Sequence, residues 1–211
     1  MRSCVIFCAA EFDGLLGAIP GGALVIAADG GVRHTQALGI APDIILGDFD
    51  SLGYVPADSR VYPVEKDDTD AMLAVRKGLE LGFREFLLYG SLDGPRLDHT
   101  IANFQTLQFL SDHGATGCLV GKDYLVTVIR NETLRFSPDA EGILSLFCLG
   151  PDAEGITLKG LQYPLENGCL RSGFPLGVSN HFVGRPARIT VHEGRALALW
   201  DRKNGLGVRG C

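Results

Sequence analysis

Three short groups of acidic residues are spaced for joint action. The first is Gly47-Asp48-Phe49-Asp50-Ser51. Its two aspartates are two positions apart, so on extended backbone both carboxylates project to one side and Phe49 to the other. The second is Lys66-Asp67-Asp68-Thr69-Asp70, and the third is Arg96-Leu97-Asp98-His99, with Asn103 one helical turn beyond His99. Two carboxylates about 4 Å apart near a protein surface repel by roughly 4 kcal/mol at an effective dielectric near 20. Such a cluster persists only where a cation or a raised pKa relieves it. Hard carboxylate oxygens select magnesium, manganese or calcium over zinc, and magnesium typically bridges a few carboxylates to substrate phosphates. The chemistry indicated is metal-assisted phosphate transfer.

Each group also has an ordinary structural reading. Aspartate is a common helix cap and a common turn residue, which weighs most on Asp67 and Asp68. It weighs least on Asp48 and Asp50, because one turn seldom requires two aspartates aimed together. His99 and Asn103, at i, i+4 spacing, fit a polar helix stripe as well as a site. Lys66 and Arg96 flank the acidic groups, where they would neutralise transferring oxygens or serve as solvated surface charges.

Phosphate-cradling turns are few. No Walker A loop exists: Gly121-Lys122 has Thr116 where the first glycine belongs and Asp123 where Ser or Thr should follow. No G-x-G-x-x-G follows the first predicted strand. What remains is Asp29-Gly30-Gly31 and Gly90-Ser91-Leu92-Asp93-Gly94, turns whose backbone N–H groups suit phosphate oxygens. No Ser/His/Asp or Cys/His arrangement for covalent catalysis is evident.

The elements that position these residues follow from apolar patterning. Cys4–Ala10, Ala23–Ala28, Ile44–Leu46, Glu85–Tyr89 and Cys118–Val120 are short and nearly all apolar, as strands buried on both faces of a parallel sheet are. Between them the spacing predicts helices over Asp70–Leu81, capped by Asp68 or Thr69 and followed by Gly82, and over Leu97–Leu110. A shorter helix is predicted over Arg33–Leu38. This alternation predicts a doubly wound, mostly parallel α/β sheet with helices on both faces, and all three acidic groups then fall on its ligand-binding edge. From about Tyr124 no helical period is evident. Six short strand candidates, Tyr124–Arg130, Thr133–Phe136, Ile143–Leu149, Gly155–Leu158, Ala187–Val191 and Ala196–Trp200, predict an all-β sandwich. The expected division is 1–123 for an α/β domain carrying the acidic groups and 124–211 for the β domain, with a loose tail over Asp201–Cys211.

Composition narrows the class. A net charge of −6 argues against a general nucleic-acid binder. The six cysteines are scattered without ligand spacing and read as reduced thiols. The apolar run Cys4–Ala10 after Arg2 is at the lower length limit for a secretory signal and Glu11 ends it, and no stretch approaches a membrane span. A cytoplasmic protein is expected.

The order Asp29-Gly30-Gly31, Pro42-Asp43, Gly47-Asp48-Phe49-Asp50-Ser51, Lys66-Asp67-Asp68-Thr69-Asp70 and Arg96-Leu97-Asp98-His99 with Asn103 resembles that of thiamine pyrophosphokinases. The match spans Ala28 to Asn103, and Gly177-Val178-Ser179-Asn180 adds a motif in the second half. The resemblance implies an ATP-dependent diphosphotransferase that converts thiamine to thiamine diphosphate with release of AMP, in a homodimer with active sites at the subunit interface. It implies Mg²⁺ on Asp48, Asp50 and Asp70, with Asp98 a further ligand or the acceptor of thiamine's hydroxyl proton. It further implies cofactor contacts from Asp29, Gly30, Lys66, Asp67, Arg96, His99 and Asn103, and thiamine contacts from Ser179 and Asn180. Two departures stand out. Ala9-Ala10-Glu11-Phe12-Asp13-Gly14 replaces the family's usual glycine-rich turn, and Asp93-Gly94-Pro95 replaces a shorter Gly-Gly. Two rivals share some features: an aspartate-nucleophile phosphatase, from the D-x-D form of Asp48-Phe49-Asp50, and a binding sensor without turnover.

Overall fold

The computed structural model describes residues 2–50, 52–63 and 67–210, so Ser51 and Lys66 lie outside the described residues. The chain divides into two compact units, Met1–Lys122 and Asp123–Cys211.

The first unit runs β1 (Ser3–Phe7), β2 (Leu24–Ala28), α1 (Gly31–Ala37), β3 (Ile44–Gly47), β4 (Arg60–Val61), α2 (Asp70–Glu80), β5 (Glu85–Tyr89), α3 (Leu97–Asp112) and β6 (Thr116–Val120). Its six strands pair in parallel in the order β4-β3-β2-β1-β5-β6. Right-handed crossovers place α1 on one face and α2 and α3 on the other, and α2 and α3 touch each other. The strands are apolar along their length because both faces are covered: Cys4, Val5, Ile6 and Phe7 are all buried. The chain leaves the central strand β1 toward β2, then returns past it to add β5 and β6. The topological switch point therefore lies between β1 and β5, where sheets of this kind bind ligands.

Local choices fix the helix starts. Thr69 caps α2 from extended backbone, its hydroxyl accepting from the Met72 N–H at 3.2 Å. At the start of α1, Gly31 is required by close approach: a Cβ there would overlap the Phe7 carbonyl.

The second unit is all β: β7 (Tyr124–Arg130), β8 (Thr133–Phe136), β9 (Ile143–Phe147), β10 (Ala153–Lys159), β11 (Leu165–Leu170), β12 (Asn180–His181), β13 (Ala187–Thr190), β14 (Arg195–Asp201) and β15 (Val208–Gly210). One antiparallel sheet orders β12-β9-β14-β7. The other orders β11-β10-β13-β8-β15. They pack as a sandwich, with Trp200 of β14 edge-on to Phe136 of β8 at 5.3 Å between centroids.

The tail departs from expectation. Residues 201–210 are held, not loose: β15 adds to the edge of β8. Trp200 Nε1 donates to the Gly205 carbonyl at 2.9 Å, and Arg209 donates to Glu132, Thr127 and the Val128 carbonyl. Glycine-rich composition concealed a strand whose stability comes from its partners.

Candidate active site

Several chain segments meet at the carboxyl edge of the first unit's sheet around a cleft of about 670 Å³. Asp29 follows β2 with a φ of +46°, and Asp48 and Asp50 follow β3. Ala28 and Leu46 are register partners on adjacent strands, so Asp29 and Asp48 emerge side by side. One carboxylate oxygen from each of Asp29, Asp48 and Asp50 lies within 4.8 Å of the others.

The expectation that Asp48 and Asp50 converge across extended backbone is corrected in its mechanism. Phe49 sits at φ +61°, and the Asp50 N–H turns back to donate to Asp48 Oδ1 at 3.3 Å. A phenylalanine in the left-handed region is uncommon and costs of order 1–3 kcal/mol. Phe49 is buried, with 3% exposure, and its packing holds the strained turn. The turn, not strand alternation, aims both carboxylates into one place.

The other acidic group sits at the start of α2. Asp67, Asp68 and Asp70 line the same cleft. Asp68 also pairs with Arg76 at 3.0 Å, which gives it a structural task. Asp70's charge reaches Cys8: burial first, and then Asp70, push that thiol up to about 12. Cys8 is therefore a neutral thiol in the cleft wall, which excludes it as a thiolate nucleophile.

On the β5 side, α3 braces the Gly90–Gly94 loop. Asn103, buried, donates from Nδ2 to the Ser91 carbonyl at 2.7 Å, and Thr100 Oγ1 donates to the Leu92 carbonyl at 2.8 Å. Arg96 and His99 also line the cleft. Arg96 Nη2 donates to Asp98 Oδ2 at 2.6 Å. That hydrogen bond holds the Asp98 carboxyl below the usual carboxylate range and raises the Arg96 guanidinium, with Asp50 a smaller contributor to the latter. Asp98 is exposed and does not line the cleft. Gly30 is buried at the α1 start. The expected contact from Lys66 lies outside the described residues. Arg33, Thr69 and Ser91 also line the cleft. Sequence reading missed Arg33, and its position two residues past Gly31 was the available signal.

Ser179 and Asn180 belong to the second unit. Ser179 is exposed, at φ +59°, with its N–H donated to Ser145 Oγ at 3.0 Å. Asn180 is buried, and its amide is engaged internally. Oδ1 accepts from the Tyr163 and His181 N–H groups, and Nδ2 donates to the Tyr163 carbonyl. It braces Tyr163, an exposed aromatic side chain.

A site of three or four converging carboxylates beside backbone turns is suited to a hard divalent cation and a phosphate chain. Comparison with known proteins identifies the family. The family model for the thiamin pyrophosphokinase catalytic domain matches residues 19–118, and that for the thiamin pyrophosphokinase vitamin B1 binding domain matches residues 131–195. The chain is 28% identical over 186 residues to the thiamine pyrophosphokinase of Bacillus subtilis (strain 168), covering 83% of this chain and 86% of that one. It superposes on a crystal structure of thiamine pyrophosphokinase from Bacillus subtilis with a TM-score of 0.83 at 25% identity, covering 94% and 98% of the two chains. For thiamin pyrophosphokinase from Geobacillus thermodenitrificans the TM-score is 0.78 at 25% identity, with 94% and 96% covered. With the two domain models matched in order over more than three quarters of its length, the chain belongs to the thiamin pyrophosphokinase family.

Proposed function

We propose that this protein transfers the pyrophosphoryl group of ATP to the hydroxyl of thiamine, giving thiamine diphosphate and AMP. The observation that carries this reading is the convergence of Asp29, Asp48 and Asp50, within 4.8 Å of one another, in a cleft that Asp70 also lines. Oxygen-only donors of this number and charge fit Mg²⁺. Asp48, Asp50 and Asp29 would hold it, and Asp70 on the same cleft would be a further ligand. When bound, the cation offsets the carboxylate repulsion and neutralises phosphate oxygens.

The chain's own residues do the rest. Turns after β1, β2 and β5 wall the phosphate path, and Gly30, buried at the start of α1, lies in the second of them. Arg96, just before α3, and His99 and Asn103 on it border the path, with Asp67 contributing from the segment before α2. Thiamine's hydroxyl oxygen forms a bond to the β-phosphorus, the bond from that phosphorus to the α,β-bridging oxygen breaks, and AMP leaves with that oxygen. The hydroxyl proton passes to a carboxylate lining the cleft, while Asp98, exposed outside that lining, accepts from Arg96 and orients its guanidinium. Positioning and charge stabilisation dominate such a reaction, and an acidic site suits a thiazolium cation.

Thiamine recognition is assigned to the second unit, in keeping with the vitamin B1 binding match. Ser179 contacts the ring and Asn180 holds Tyr163 for it. Exposed Phe174, Leu176 and Val178 support a homodimer formed through that unit. Five free thiols among the described residues fit a cytoplasmic enzyme, and no helix among those residues is long and apolar enough to cross a membrane.

The test is incubation with ATP, Mg²⁺ and thiamine, followed by chromatography. Equimolar AMP and thiamine diphosphate are expected. Inorganic phosphate released without thiamine would favour a phosphatase, and binding of both ligands without AMP would favour a sensor.

A further inference from the structure

The segment leaving β1 departs from the glycine-rich turn usual in the family, and the structure shows what holds it. At the switch point, Cys8 N–H donates to the Tyr89 carbonyl at 2.8 Å and Ala10 N–H to the Gly90 carbonyl at 3.0 Å. The Ala10 carbonyl accepts from His34 Nε2 at 2.9 Å, so that nitrogen carries the proton. Gly90, at φ +64°, leaves the space that this carbonyl occupies: a Cβ there would overlap it. Ala10 is thereby fixed between β5 and α1.

Phe12 closes the arrangement. Its ring packs on His34 at 4.9 Å, on Tyr89 at 5.2 Å and on Phe7 at 6.0 Å between centroids. The Leu16 N–H then donates to the Tyr89 hydroxyl at 3.2 Å. Ala9, Ala10 and Arg33 line the cleft, whereas His34, next to Arg33 on α1, turns toward Ala10 instead. A carbonyl oxygen free at the cleft edge would repel phosphate oxygens. A donor that takes it up removes that penalty and sets the position of both Ala10 and the helix bearing Arg33.

We propose that His34, with Phe12 and Tyr89, is a latch that positions the β1–β2 segment and α1 as one wall for the phosphates of ATP. This rests on the ATP-dependent reading above and makes His34 a positioning residue. His34→Leu keeps bulk and removes the donor, whereas His34→Gln returns an N–H near the place of Nε2. In the full chain, His34→Leu raises KM for ATP about fivefold, the scale of one lost neutral hydrogen bond. It leaves KM for thiamine and kcat within about twofold. It also speeds proteolytic cleavage within residues 11–22 of the ligand-free protein, and His34→Gln restores both readouts. If His34→Leu fails to fold, Phe12→Leu, which loosens the rings without touching a polar atom, is expected to give the same ATP-selective change. Unchanged KM for ATP in the folded variant, equal losses in His34→Leu and His34→Gln, or a matching rise in KM for thiamine would each overturn the latch. Absence of AMP formation by the unaltered protein would overturn the proposed reaction instead. Equilibrium dialysis with ATP then decides the latch: weaker binding by His34→Leu supports it, and equal binding refutes it.

Discussion

Asp50→Asn tests the stability effect of the Asp29, Asp48 and Asp50 cluster apart from its proposed chemistry, because it changes one charge and almost nothing else. The tie that shapes the turn uses Asp50's backbone N–H, which asparagine retains. At 4.8 Å, the outer limit of the cluster, one carboxylate pair repels by roughly 0.9 kcal/mol in water and roughly 3.5 kcal/mol at an effective dielectric of 20. Asp50 takes part in two such pairs, so its charge costs roughly 2–7 kcal/mol, and its exposure places the value at the low end. Attraction to Arg96, which senses Asp50, offsets part of this. A net gain of about 1–2 kcal/mol on neutralisation corresponds to a rise in Tm of roughly 2–8 °C for a chain of this size. Thermal unfolding should therefore show Asp50→Asn more stable than the unaltered protein in EDTA. Added Mg²⁺ should raise its Tm less, since binding stabilises by mass action. AMP formation should fall by about 10²-fold or more, as when a group stabilising transition-state charge is removed. A variant that is no more stable in EDTA, yet gains the full Mg²⁺ shift, would refute the reasoning.

Two further outcomes are expected. Asp98's carboxyl is lowered in the folded state from its ordinary value of 3.8. Its pairing with Arg96 therefore adds stability above that value and loses it as pH falls through the lowered pKa. In carboxyl-detected NMR, Arg96→Ala should move the Asp98 midpoint up toward 3.8, and an unmoved midpoint would remove Arg96 as the cause. Cys4 and Cys8, both pushed up to about 12, chiefly by burial, should resist iodoacetamide at pH 8 in the native protein and react after unfolding, as read by mass spectrometry. Asp70→Asn should leave Cys8 resistant, because burial is the larger cause. Rapid native labelling would contradict this.

Patterning made much of the fold legible. Glu85–Tyr89, Tyr124–Arg130 and Thr133–Phe136 form strands over the residues their apolar runs mark. The first run extends to Ala10, but β1 stops at Phe7 because Ala10 is drawn off to Gly90 and His34. Leu165–Leu170 was not legible: LENGCL lacks alternation and holds its place on an exposed edge by pairing with β10. In the site, residue types announced Asp48, Asp50 and Asp70. Asp29's place beside Asp48 was not readable, since it depends on β2 and β3 being neighbours in register. Nor was Phe49's left-handed backbone, which its buried side chain stabilises and local spacing does not encode.

The final strand has a practical consequence. β15 covers the outer ladder of β8 over Thr133–Arg135, so a product clipped before Val208 would leave that row of amides and carbonyls bare. Such a row is a template for another molecule's strand. Shortening this protein from its carboxyl end is thus a route to sticky, self-associating material, even with the whole cleft of the first unit left in place.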